Sequence, residues 1–132
     1  MQVRYVIFST YDPYCQSQDC AKTYKIDNLK FFRDTGNKIA HQNFPYQGKY
    51  VFFSSSEQLI KKFLKGIPHK LLQEKDSIIG QCIDCEKVYL EIGFNDTVKY
   101  WVIDEQLDPS QPAYAKNVVE QVQTTIAQLQ DY

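Results

Sequence analysis

The sequence predicts an α+β fold in which an antiparallel sheet of about five or six strands carries two amphipathic helices on one face. Strand-like segments follow one another in hairpin-like runs with short turn signals between them, whereas a parallel sheet would alternate strands with helices. Only two segments have the apolar spacing of an amphipathic helix. The length of 132 residues predicts a single domain, 1–132.

The first half of the chain predicts a series of strands. Residues 3–8 are apolar on both faces, as in a central strand, whereas residues 22–26 alternate polar and apolar side chains, as in a half-exposed one. Asp27-Asn28 is a turn signal, so we expect residues 29–33 to return beside 22–26. Further strands are predicted at 38–41 and 49–53.

Three consecutive serines predict the start of the first helix. Ser54 with Glu57, or Ser55 with Gln58, has the spacing of a capping box, in which side-chain oxygens bind free amides of the first turn. An apolar stripe follows, formed by Leu59, Ile60, Phe63 and Leu64. Leu71 and Leu72 are expected to belong to one more short helical turn.

The second half of the chain predicts a hairpin and a closing helix. Residues 88–94 alternate, and residues 98–103 are their expected partner across a short turn. The last helix is predicted to pack on the sheet through a single apolar stripe, formed by Val118, Val119, Val122, Ile126 and Leu129.

Composition excludes several classes of function. The net charge of −1 and the pI of about 6.1 argue against a nucleic-acid surface and against a polybasic membrane patch. The sequence has no apolar run near the ~18 residues that span a bilayer. It has no phosphate-binding glycine loop or hydrolase motif, and His41 and His69 have no local catalytic partners. We therefore expect no cofactor, no metal and no catalysis, although a hydrolase with an unrecognised site remains an alternative.

Four cysteines in two close pairs carry the most chemical information: Cys15 with Cys20, and Cys82 with Cys85. We expect disulfides, because an even count in a small domain is typical of export to an oxidising compartment. Local bridges would each stabilise the fold by roughly 2 kcal/mol, and bridges between the pairs by roughly 4 kcal/mol. The pairing stays open, and the expected location is extracytoplasmic, periplasmic or at the cell surface after removal of a signal.

The same cysteines allow two other interpretations. Four thiolates in two pairs could bind zinc, although the glycine-rich knuckles typical of such sites are missing. Cys82 and Cys85 could instead form a redox-active pair. Against this, the residues after Cys85 predict a strand and not a helix, and the carboxylates of Asp84 and Glu86 disfavour a neighbouring thiolate.

Tyrosine is the compositional outlier, with 10 copies. Four of them fall in loop-like or helix-entry segments near proline: Tyr11, Tyr14, Tyr46 and Tyr114. Tyrosines placed there can form a recognition surface, although rings that cap the rim of the core would give the same pattern. We therefore expect a non-catalytic binding or interaction domain for an unknown protein or small-molecule ligand. The alternative is a zinc-binding or thiol-redox domain.

Overall fold

A computed structural model defines the fold around one sheet. The residues that it describes are 2–13, 21–36, 47–74, 78–80, 82, 85–106 and 111–130. The strands are β1 Val3–Tyr11, β2 Ala21–Asp27, β3 Lys30–Asp34, β4 Tyr50–Ser54, β5 Ile78–Ile79, β6 Lys87–Phe94 and β7 Val98–Asp104. The helices are α1 Glu57–Lys65, α2 His69–Leu72 and α3 Ala113–Gln130.

The described strands form one sheet in the order β4-β3-β2-β1-β6-β7-β5. Neighbours are antiparallel except β5, which runs parallel to β7. The predicted α+β class and antiparallel sheet are confirmed. Strand β1 pairs with β2 on one side and β6 on the other, which agrees with its apolar residues on both faces.

The described sheet has seven strands, so the expected number of five or six was too low. The strand with no sequence-based prediction, β5, has two residues, and so short a segment cannot show an alternating pattern. The helical turn predicted at Leu71 and Leu72 is the four-residue helix α2. Predicted residues 38–41 lie outside the described part of the chain.

The helices pack on one face of the sheet, as predicted. Even-numbered residues of β1, such as Val6 and Phe8, share a core cluster with Ile60 and Phe63 of α1, and the predicted apolar stripe of α3 lies in the same cluster. Burial of these side chains supplies the main driving force for docking the helices.

Neither predicted capping box forms at the start of α1. Ser54 is the last residue of β4 and therefore cannot cap the helix. The N-cap residue is Ser56, whose side chain makes no cap hydrogen bond within the described structure. Its carbonyl accepts the first helical bond, from the Ile60 amide at 3.1 Å. Burial of Ile60 and Phe63 holds this helix in place.

A two-residue turn joins β2 to β3. Asp27 pairs with Lys30, so the turn consists of Asn28 and Leu29, which have φ angles of 52° and 58°. Two consecutive positive φ angles are what the twist of a tight hairpin requires. The turn signal at Asp27-Asn28 was correct, but Leu29 belongs to the turn and not to the strand.

Candidate functional site

The sheet face opposite the helices is rich in tyrosine. Its side chains come from alternate residues of the central strands and include Tyr5, Tyr11, Tyr50, Tyr89 and Tyr100. We call this the tyrosine face. Its apolar members, Ile7, Ala21 and Val102, are buried. Strand alternation separates the two faces, because successive side chains of β1 point to opposite sides of the sheet.

A buried carboxylate lies at the centre of the tyrosine face. The Tyr5 hydroxyl donates to Glu91 Oε2 at 2.7 Å, and the Tyr89 hydroxyl donates to Glu91 Oε1. Burial and these bonds raise the pKa of both phenols, so they stay protonated donors at neutral pH. Tyr5 also covers Gly93, its cross-strand neighbour, where a Cβ would collide with the ring. The centre of the face is therefore a fixed polar cluster.

Lys25 extends this cluster towards the β4 side of the sheet. Its ammonium lies 4.9 Å from the centre of the Tyr5 ring and 5.4 Å from that of Tyr50. It also lies 3.8 Å from Asp27 Oδ2. A cation over two ring faces is attracted by both, and it holds the two tyrosines in a defined orientation.

The β4 edge exposes apolar side chains on both sides of the sheet. Phe52 is 59% exposed and Val51 is 51% exposed. Phe52 pairs with Phe32 on β3, with an edge-to-face ring contact at 6.3 Å, whereas Val51 lies opposite Arg33 on the helix side. The β4 sequence has no charged residue and no proline, the devices by which edge strands usually avoid pairing. In the order of the described strands, β4 is the last strand on this side of the sheet.

The second cysteine pair lies at the other side of the tyrosine face. The sulfurs of Cys82 and Cys85 are at disulfide-bonding distance, and their Cα atoms are 5.6 Å apart. Lys87 and Asp104, which face each other across β6 and β7, form an ion pair. The Cys82 amide donates to Asp104 Oδ2 at 2.9 Å, and Lys87 Nζ donates to the Cys82 carbonyl. The ion pair thus binds both backbone groups of Cys82.

Two carboxyl groups meet at the end of β7. The Glu105 amide donates to the Glu86 carbonyl at 2.9 Å, and their side chains line a cavity of about 160 Å³ with Lys22, Gln123 and Gln130. The hydrogen bond between the carboxyls, together with burial, raises the pKa of Glu105 from 4.5 to about 7. The Glu105 carboxyl therefore titrates near neutral pH.

A larger cavity of about 370 Å³ lies between α1 and α3. Its lining is polar and includes Lys62, Asn117, Glu120, Gln121 and Gln128. A polar, open lining does not resemble the mostly apolar concave sites that bind small ligands. We therefore assign it no role in binding.

The predicted tyrosines do not form one surface. Tyr11 is only 2% exposed and packs among the buried residues of the tyrosine face, so its ring belongs to the core, as in the alternative interpretation. Tyr114 is half-buried against the helical core, and its hydroxyl donates to Glu74. Tyr14 and Tyr46 lie outside the described residues, and their role stays a prediction.

Of the four predicted cysteines, Cys82 and Cys85 are close enough for a local disulfide. Cys15 and Cys20 lie outside the described residues, and their pairing stays a prediction. Within the ranges that the structure describes, no three His, Cys, Asp or Glu side chains are grouped to hold a metal ion. Among the helices described, none is long and apolar enough to cross a bilayer.

Sequence analysis missed the residues that define the tyrosine face and its edge. Tyr5, Lys25, Glu91 and Phe52 were treated as ordinary strand residues. The alternation of Tyr89 and Glu91 with apolar neighbours was the available signal, because it places both on one face. The contact between Glu91 and Tyr5, which are 86 residues apart in the sequence, depends on the pairing of β1 with β6.

Comparison with known proteins gives no further assignment. No protein-family model matches the chain, and no curated protein matches it.

Proposed function

We propose that the chain is a non-catalytic interaction domain that acts outside the cytoplasm and binds an extended polypeptide segment along β4. The observation that carries this proposal is the exposure of Phe52 and Val51 on opposite sides of one edge strand. Such an edge offers main-chain hydrogen bonds to an added strand, and the β4 side chains on the two sides of the sheet then contact alternate residues of the ligand.

The two sides of the β4 edge favour an apolar ligand. On the tyrosine face, the rings of Phe32 and Phe52 form a contiguous aromatic patch. On the other side, Val51 offers a smaller apolar contact. Exposed contiguous apolar surface commonly marks interaction sites. Successive side chains of an added strand point to opposite sides of the sheet, so two apolar residues in a row would cover Phe52 on one side and Val51 on the other.

Basic side chains flank the apolar contacts. Lys49, just before β4, and Arg33, opposite Val51, are both exposed. Asp34 fixes the entry to β4, because its Oδ1 accepts the Lys49 amide at 2.9 Å. These charges favour acidic residues beside the apolar core of the bound segment, because complementary charges steer association and fix the register.

The extracytoplasmic location is supported by the second cysteine pair. Cys82 and Cys85 lie at disulfide-bonding distance, and disulfides form chiefly in oxidising compartments. The location is independent of peptide binding at β4, and thiol titration tests the disulfides on which it rests.

A phage-displayed library of random peptides of about 12 residues tests the proposal. We expect the wild-type protein to enrich peptides that contain adjacent apolar residues together with Asp or Glu. Selected peptides should bind Phe52→Asp at least about tenfold more weakly, a loss of about 1.4 kcal/mol. Ile78→Asp is the matched control, because Ile78 is 67% exposed on β5 at the opposite edge. Failure to enrich any peptide, or equal binding to Phe52→Asp with circular dichroism unchanged, would refute peptide binding at β4.

A further inference from the structure

We infer that the Cys82–Cys85 pair is a thiol–disulfide exchange site, which is reduced by a dithiol while the protein stays folded. The geometry that points to this is the ion pair that holds Cys82 independently of its sulfur. This inference does not depend on peptide binding at β4.

The Cys82–Cys85 bridge is poorly suited to stabilising the fold. It spans three positions of sequence, and a loop this short removes little entropy from the unfolded chain. Both cysteines are half-buried, so a reductant can approach. Disulfides that are exposed and stabilise little are commonly those that exchange.

Lys87 and Asp104 already hold Cys82 to the sheet, which is what a structural disulfide would do here. They tie the Cys82 amide and carbonyl to β7 and β6, and their side chains are only 14% and 3% exposed. Gly80 allows the Asp104 carboxylate to lie close to the chain just before Cys82, because a Cβ at position 80 would collide with that carboxylate. When the disulfide opens, the ion pair still holds Cys82 in place.

This anchoring makes the exchange reversible without unfolding. Cys85 lies two positions before Lys87 at the start of β6, so both cysteines remain tied to neighbouring points of the sheet. Two thiols held close together have a high effective concentration for re-forming their bond. A buried ion pair contributes little to stability. The role that we assign to this pair is to hold Cys82 in place while the disulfide is open.

The chemistry requires a dithiol as the reductant. Its thiolate attacks the Cys85 sulfur, the Cys82–Cys85 bond breaks, and Cys82 leaves as a thiolate that then takes up a proton. The second thiol of the reductant attacks the mixed disulfide, releases Cys85 as a thiol and becomes part of a cyclic disulfide. Two electrons and two protons pass to the protein. Cys82 is the favoured leaving group because Asp84 and Glu86 both adjoin Cys85 in the sequence and disfavour a thiolate there.

The test uses a Cys15→Ser/Cys20→Ser variant treated with dithiothreitol in native buffer, with alkylation and mass spectrometry to follow the remaining pair. We expect the reduction rate to rise in proportion to dithiothreitol concentration and to exceed the global unfolding rate at least about tenfold. Far-UV circular dichroism should not change. Reduction at the unfolding rate, independent of dithiothreitol concentration, would show a purely structural bridge and overturn the inference.

A charge-neutral double variant tests the role of the ion pair. Lys87→Gln/Asp104→Asn removes the ion pair that holds the Cys82 backbone, and we expect the reduced protein to re-form its disulfide about tenfold more slowly at a fixed concentration of oxidised dithiothreitol. Lys61→Gln/Glu57→Gln is the control, because that pair is exposed on α1, and its rate of disulfide re-formation should match the parent. An unchanged rate of re-formation in Lys87→Gln/Asp104→Asn would contradict a positioning role for the pair.

Discussion

Individual residues in this fold are placed mainly by contacts that are distant in sequence. Burial of Tyr11 follows from its register beside Ala21 and Lys87, and no local pattern distinguishes it from an exposed loop tyrosine. The strand alternation that places Tyr89 and Glu91 on one face is local and could be predicted. Their hydrogen bonds could not, because these depend on which strands pair.

Glu105 should make stability depend on pH between about 4.5 and 7. Its pKa in the folded protein is raised to about 7, first by the hydrogen bond to Glu86 and then by burial. A carboxyl whose pKa is raised by folding adds to the free energy of unfolding. This addition is fully present below about pH 4.5 and is lost as the pH rises through 7. We therefore expect Glu105→Gln to remove part of the fall in stability across that window.

Urea unfolding at pH 4.5, 5.5, 6.5 and 7.5, chosen around the pKa of Glu105, measures this effect. Glu120→Gln is the control, since Glu120 is exposed on α3 and its substitution should leave the wild-type slope unchanged. Parallel pH curves for wild type and Glu105→Gln would contradict the raised pKa of Glu105.

Leu29→Gly should stabilise the β2–β3 turn. Leu29 has φ of 58° and is 44% exposed, so the substitution relieves a left-handed strain and removes little buried surface. The strain costs roughly 1–2 kcal/mol, and the extra freedom of glycine in the unfolded chain offsets roughly 0.5–1 kcal/mol of the gain. We expect a net gain of about 0.5–1 kcal/mol in urea unfolding, whereas Leu29→Ala, which keeps a Cβ, should show none.

Elements with a long periodic pattern were predictable, and so was the helical turn at α2, but the shortest strand was not. The spacing of Val118, Val122 and Ile126 predicted the buried side of α3, and all three are buried there. The alternation in residues 88–94 predicted β6. In contrast, β5 has two residues and forms only because β7 offers a parallel partner, which is a tertiary effect.

Helix α3 should supply a large share of the stability. Val122 is buried in the core between the helix and the sheet, and Val122→Ala should lower the free energy of unfolding by about 1–3 kcal/mol through lost burial and a residual cavity. Lys116→Ala, at an exposed position of the same helix, should change it by less than about 0.5 kcal/mol. An unchanged urea midpoint for Val122→Ala would show that the stripe does not pack as described.

For the whole molecule, composition and periodicity predict the α+β class, but not the sheet order. The pairing of β1 with β6 brings Tyr5 to Glu91, and the position of β4 at the end of the described order leaves Phe52 exposed. Both depend on long-range pairing that a local pattern does not encode. The candidate site was therefore sought near Tyr11, whereas the exposed apolar edge is at β4.

Protein purified from an oxidising compartment should contain no free thiol. The basis is the even count of four cysteines and the placement of Cys82 beside Cys85. Thiol titration in denaturant without reductant should give no reaction. Four reactive thiols would contradict the disulfide interpretation, and release of zinc under the same conditions would support the zinc-binding alternative.

Amide hydrogen exchange with a selected peptide bound tests most directly whether β4 is the interaction edge. An added strand would bond the outward backbone groups of β4, so exchange should slow within Tyr50–Ser54. Exchange in β5, at the opposite edge, should not change. Slowed exchange at β5 or α3, with β4 unaffected, would contradict the account.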